Sequence, residues 1–194
     1  GDDFLERLHE LTLWETREFP AGHPFHSVVA MPHDVPLPPI WLLGSSGYSA
    51  QLSAQIGMGF AFAHHFASHD ATDAMMTYRA NFVPSRWRDK PSSILAVAVI
   101  AADTEEEADR LASSSGLNRL RRNRGEYAPL PSPEESLAYP YTDAERASVM
   151  RNRSRLFVGS PATILSKLQP MIDDSQPDEL MIIRRVGRVA GGAF

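Results

Sequence analysis

The sequence predicts an α/β fold with parallel strands and helices outside them, and three observations lead there. Residues 39–66, PIWLLGSSGYSAQLSAQIGMGFAFAHHF, pass from a short apolar run through a small-residue turn into a helical pattern and out into a second apolar run, which is the order of a βαβ unit. A third apolar run, Ile94–Ala101, is followed at once by Asp103, Thr104 and three glutamates, a helix start whose acidic first turn suits the helix dipole. A fourth run, Leu180–Ile183, comes after another capped helix pattern.

Taken in order, Asp2–Glu15 carries apolar residues at Phe4, Leu5, Leu8, Leu11 and Leu13 behind Asp2 or Asp3 as a cap. That predicts a one-sided helix lying on a sheet face. Pro20, Gly22, Pro24, Pro32, Pro36, Pro38 and Pro39 make residues 19–39 an extended connection, with a short strand pairing at Ser27–Met31 as its one regular element. His23, His26 and His33 lack the spacing of a helical metal pair and read as solvated loop side chains. The first strand is expected at 40–43, its helix ends at Gly57, where a left-handed residue is favoured, and the second strand is expected at 60–65. Alternation sends Phe60, Phe62 and His64 to one side, toward helices, and Ala61, Ala63 and His65 to the other.

A helix at 72–82 and a polar link at 83–91 lead to the strand at 94–101 and to a helix with Leu111, Leu117 and Leu120 on its buried stripe. Arg119, Arg121, Arg122 and Arg124 form the chain's dense basic cluster. It reads as a solvated face, or as a contact to a cofactor phosphate or an acidic partner. Residues 125–141 carry Pro129, Pro131, Pro133 and Pro140 with Tyr127, Tyr139 and Tyr141, a stiffened excursion that is a lid, a dimer contact or a disordered loop. A helix from Asp143 toward Arg155 follows. Val158-Gly159-Ser160-Pro161 starts another helix, with serine at the cap and proline at the first position, and the last strand is expected at 179–184. The tail, residues 185–194, is glycine-rich and basic and reads as irregular.

With 194 residues, 43% of them hydrophobic, the chain can bury one sizeable core, and a net charge of −5 gives no support for nucleic-acid or anionic-membrane partners. Cysteine is absent, which excludes disulfides and thiolate metal sites. No apolar run is long enough to span a bilayer, and the amino terminus has no basic-then-apolar leader. The expectation is a soluble, cytoplasmic protein.

The turn after the first strand holds the chemistry. Ser45, Ser46, Gly47, Tyr48 and Ser49 stand at the mouth of a helix, where free amides, partial positive charge and hydroxyl donors suit an anion such as a phosphate. The competing reading is that Ser45 or Ser46 only caps the helix. His65, at a strand's carboxyl end, is aimed at the pocket side. Alternatively it is satisfied by a backbone carbonyl, Asp70 or Asp73. His65 and His69 could share a helical face as a metal pair, but no third ligand is evident, so no metal is assigned.

These motifs resemble a family. The stretch 39–66, with LPSPEESLAYPYT (Leu130–Thr142), FVGSPATILSKL (Phe157–Leu168) and DELMI (Asp178–Ile182), is similar to the carboxyl-terminal half of the luciferase-like flavin-dependent monooxygenases. The resemblance implies half of a (β/α)₈ TIM barrel, consistent with a length below the roughly 250 residues of a closed one. It implies a single partial-barrel domain over 1–194, with a flexible insertion at about 113–142. Four strands leave two edges, so the missing amino-terminal half or a second copy of the chain is the expected partner.

By the same resemblance the function is oxidation of a small organic substrate by O₂ and reduced FMN, or F420 in some branches, with the reduced flavin supplied by a reductase. Ser45, Ser46, Gly47, Tyr48 and Ser49 would hold the FMN phosphate, and His64 and His65 would line the flavin or substrate pocket. The family's catalytic groups lie largely in the other half, so none is named here. A non-catalytic flavin-binding or assembly fragment is the alternative, and a phosphosugar-binding barrel enzyme is a third reading.

Overall fold

The structure, a computed structural model, describes residues 3–67 and 69–184. The chain divides into two compact units, Gly1–Ile40 and Trp41–Phe194.

In the first unit, α1 (Phe4–Thr16) buries none of its side chains and ends at Arg17 in the left-handed region, φ 59°. Asp3 makes no capping bond and pairs with Arg7 instead. The connection after it holds itself together through rings and histidines. Trp14 meets Phe19 edge-on at 4.9 Å, and His23 lies 4.7 Å from Phe19. His23 Nε2 is 3.1 Å from Glu10, His26 Nδ1 is 2.8 Å from the Phe19 carbonyl, and His33 pairs with Asp34. The loop histidines are therefore local fasteners rather than merely solvated, and residues 27–31 form no strand.

The second unit runs β1 (Trp41–Gly44), α2 (Gly47–Ile56), β2 (Gly59–Ala63), α3 (Ala71–Ala80), β3 (Ser93–Ala101), α4 (Glu105–Asn123), α5 (Pro133–Ala138), α6 (Asp143–Arg153), β4 (Leu156–Gly159), α7 (Pro161–Ser175) and β5 (Glu179–Arg184). Among the described residues every strand pairing is parallel, as the sequence pattern predicts. β2 covers Ser93–Ala96 of β3, β4 covers Ala98–Ala101, and β5 covers Ile94–Val99. Because β5 overlaps both of the others, β2 and β4 must lie end to end along one edge of β3, with β5 along the other.

Three boundaries differ from those read in the sequence. β4 is a strand where a helix end and a helix start were expected, because four residues behind a run of arginines carry too little periodicity to register. β2 stops at Ala63, and His64–Phe66 form a 3₁₀ turn. Residues 113–123 belong to α4, so the excursion begins only at Arg124. It is pinned down by Arg110–Glu134 at 2.5 Å, by Arg121–Glu135 at 2.7 Å and by the Arg124–Glu145 pair. The tail read as irregular, 185–194, lies outside the described residues.

Phe60 and Phe62 of β2, Leu95 and Val97 of β3 and Phe157 of β4 share one sheet face, packed against Ala50 and Ala54 of α2, Met75 and Tyr78 of α3, and Ile164 and Leu168 of α7. The alternation expected for β2 is thus realised in its phenylalanines. At the amino-terminal end of the strands, Tyr78 Oη, fully buried, lies 2.9 Å from the Met58 carbonyl and 3.1 Å from that of Ser92, and the Ser92 N–H donates to Tyr78 Oη at 3.0 Å. Asp178 Oδ2 accepts from the Ser93 amide at 2.7 Å and from Arg79 at 2.8 Å, which fixes β5 in register with β3. This end of the sheet is built for rigidity, leaving the carboxyl end for chemistry.

Candidate functional site

The 44–49 turn sits at the carboxyl end of β1, where Gly44 is paired with Phe62. Gly44 has no room for a side chain: a Cβ there would lie 1.9 Å from Ser49 Oγ and 2.2 Å from Ser49 Cβ. The glycine lets Ser49 fold back onto the strand end. Ser46 is the N-cap of α2, and with Ser49 it forms a reciprocal capping box at long distances, 3.5 Å from the Ser49 N–H to Ser46 Oγ and 3.4 Å from the Ser46 N–H to Ser49 Oγ. Ser49 Oγ donates more firmly to the Ser46 carbonyl, at 2.9 Å.

Capping thus occupies Ser46 and Ser49. It leaves the amides of Gly47 and Tyr48 with no acceptor among the described residues, as the first turn of a helix requires. Ser45 Oγ also has none. An anion would therefore be met by two amides, one hydroxyl and the positive end of the α2 dipole. Tyr48 is exposed. His69 is a neighbour brought here by the fold alone: its Nε2 would be 3.4 Å from a Cβ on Gly47.

The two histidines after β2 part company. His64 stacks on Phe157 with ring centroids 5.5 Å apart, and its Nδ1 is buried without a hydrogen-bond partner among the described residues. Burial, reinforced by His65, lowers its pKa below the ordinary imidazole value, against an opposing pull from Asp70. His64 is neutral near pH 7. His65 turns the other way, its Nδ1 3.5 Å from the Ala96 carbonyl and its ring against Phe66 at 4.4 Å. Among the described residues no three histidine, aspartate or glutamate side chains cluster to hold a metal ion.

His65 also borders a cavity of about 270 Å³ between α4 and α6. Asp109 and Arg153 pair across its rim, and Arg119 enters its wall from α4. The basic cluster of the sequence is therefore split. Arg121 and Arg124 fasten the excursion, whereas Arg119 faces the cavity. Only the packing of α6 onto α4 reveals this, since Asp109 and Arg153 are 44 residues apart.

At the start of α4, Glu105 accepts from the Ser160 amide at 2.9 Å and from Thr163 Oγ1 at 2.6 Å. It thereby occupies the first turn of α7, and these bonds hold its carboxyl down at about 2. The helix start at Ser160 is closed by the protein's own carboxylate, while the one at Ser46 stays open.

Comparison with known proteins gives this arrangement a family. The profile described as luciferase-like monooxygenase matches residues 2–174. The uncharacterised protein YvbT of Bacillus subtilis strain 168 is 38% identical over 182 residues, 94% of this chain and 53% of its own. A protein of Escherichia coli K12 named luciferase-like monooxygenase is 36% identical over 187 residues, 93% of this chain and 53% of its own. The crystal structure of apo-MsnO8 superposes with a TM-score of 0.79 at 31% identity, covering 97% of this chain and 56% of that one. The chain spans about half the length of the curated relatives it matches. Match extent and shared fold agree: the chain belongs to the luciferase-like monooxygenase family.

Proposed function

We propose that the chain supplies the phosphate-binding turn and one wall of the substrate pocket of a flavin-dependent monooxygenase. Such an enzyme would use reduced FMN and O₂ to oxidise a small organic molecule. The observation that carries the reading is the open first turn of α2, with the Gly47 and Tyr48 amides and the Ser45 hydroxyl uncommitted at the carboxyl end of β1. The donor set fits a phosphate monoester: two amides and a hydroxyl, all donating, with the helix dipole behind them. When bound, the flavin would supply the redox chemistry with O₂.

The chain's own residues would hold and shield it. Ser45, Gly47 and Tyr48 bind the phosphate, with Ser46 and Ser49 shaping the turn. His65, on the border of the cavity between α4 and α6, would line the ring or substrate side, with His64 behind it, packed on Phe157. F420, whose phosphate the same turn would accept, is the competing cofactor. A flavin reductase would deliver reduced FMN, and the remaining barrel strands or a second copy of the chain would complete the pocket.

A second reading is a flavin-binding or assembly fragment without turnover. Titration with FMN and with F420, followed by oxygen consumption with NADH and a flavin reductase, separates the readings. FMN binding with substrate-dependent oxygen uptake supports the enzyme. Binding without uptake supports the fragment, and binding of neither cofactor overturns both.

A further inference from the structure

The cavity between α4 and α6 has a chemistry of its own. Asp109, Ala112, Gly116 and Arg119 recur along α4 at helical spacing, and Val149, Asn152 and Arg153 do so along α6, so two helical stripes face each other across it. Its volume of about 270 Å³ lies just under the range of about 300–1,000 Å³ common for drug-sized ligands, which suits a compact molecule. Ala112, Val149 and Leu156 make part of the wall apolar. Gly116 lets α6 come close, since a Cβ there would be 2.8 Å from Val149 Cγ1.

Charge distinguishes the two guanidiniums of this space. Arg153 is neutralised by Asp109. Arg119 is half-buried and has no ion-pair partner among the described residues, unlike Arg110, Arg121 and Arg124 on the same helix region, each of which holds a glutamate. Desolvating a guanidinium without a counter-charge is costly, and its planar fork fits a carboxylate through two parallel N–H···O bonds.

We propose that this cavity binds the organic substrate, and that Arg119 selects one carrying a carboxylate whose apolar body lies against Ala112, Val149 and Leu156. His65, on the cavity's border, would then separate the bound acid from the strand ends where the flavin is proposed. The word substrate rests on that flavin reading, while the carboxylate site stands on the cavity alone.

Ligand-observed NMR titration of the 194-residue chain with hexanoate and with its neutral analogue hexanamide tests the site. Hexanoate is expected to bind at least tenfold more tightly. In Arg119→Gln the preference should fall to near unity, in Arg119→Lys it should be partly kept, and in Arg122→Gln, an exposed arginine outside the cavity, it should persist in full. Equal binding of acid and amide, binding of neither, or a preference that survives Arg119→Gln would overturn the proposal. FMN affinity measured on the same variants keeps the two readings apart. Acid selectivity without FMN binding leaves the cavity assigned and removes the flavin, whereas FMN binding without acid selectivity does the reverse.

Discussion

At the scale of single residues, the two glycines of the first turn do different work. A methyl on Gly44 would overlap Ser49, whereas one on Gly47 would meet only His69 at an ordinary contact distance. Gly44→Ala is therefore expected to destabilise the chain by roughly 1–3 kcal/mol through overpacking and to lower FMN affinity severalfold. Gly47→Ala, at a helical position, should leave stability unchanged or raise it by up to about 1 kcal/mol. Urea unfolding of the pair checks this, and equal losses would mean that the turn is not braced by Ser49.

Tyr78 is a second single-residue test. Its hydroxyl joins the entries of β2 and β3, so Tyr78→Phe takes this partner from the buried Met58 carbonyl and the part-buried Ser92 N–H and should cost about 1–3 kcal/mol in the same assay. A change below about 0.5 kcal/mol, ordinary for a neutral surface substitution, would show that water replaces the hydroxyl. Ser45–Ser49 stood out in the sequence because small residues and glycines cluster visibly before a helix. His69 and Arg119 were visible there only as half of a possible metal pair and as one member of a basic cluster, because the surroundings that place one beside Gly47 and the other on the cavity come from segments distant in the chain.

At the scale of elements, β1, α2, β3 and β5 were legible because each carries its own pattern: apolar runs with a period of two or a capped helical stripe. β4 was not, since its four residues gain their identity by pairing with the second half of β3. The same junction contains Glu105, which ties the start of α4 to the start of α7 through Ser160 and Thr163. Its carboxyl is held at about 2 against an ordinary 4.5, so between those values the unfolded chain binds more protons than the folded one. This contribution to stability is present above about pH 4.5 and is lost as pH falls toward 2. Glu105→Gln should lower the melting temperature at neutral pH by a few degrees and flatten its decline across that acid window. Parallel melting curves for the variant and the parent would contradict the clamp.

At the scale of the whole molecule, the helices α2, α3 and α7 cover one sheet face, and β1 pairs with no described strand beyond β2. Leu43, on the face opposite Leu42 and Phe60, is 66% exposed, and Met181 is 45% exposed. An unpaired parallel edge beside exposed apolar side chains invites association. Light scattering during size-exclusion chromatography should show concentration-dependent self-association of the chain that Leu43→Lys reduces. A monomer at all concentrations would argue that the edge is already protected.

The anion turn at the carboxyl end of β1 is the claim on which the flavin reading turns, and riboflavin, which is FMN without its phosphate, tests it most directly. Fluorescence titration of the chain with both should give a dissociation constant at least tenfold lower for FMN, about 1.4 kcal/mol of phosphate recognition, and Ser45→Ala should narrow that gap. Equal affinities for FMN and riboflavin would contradict it.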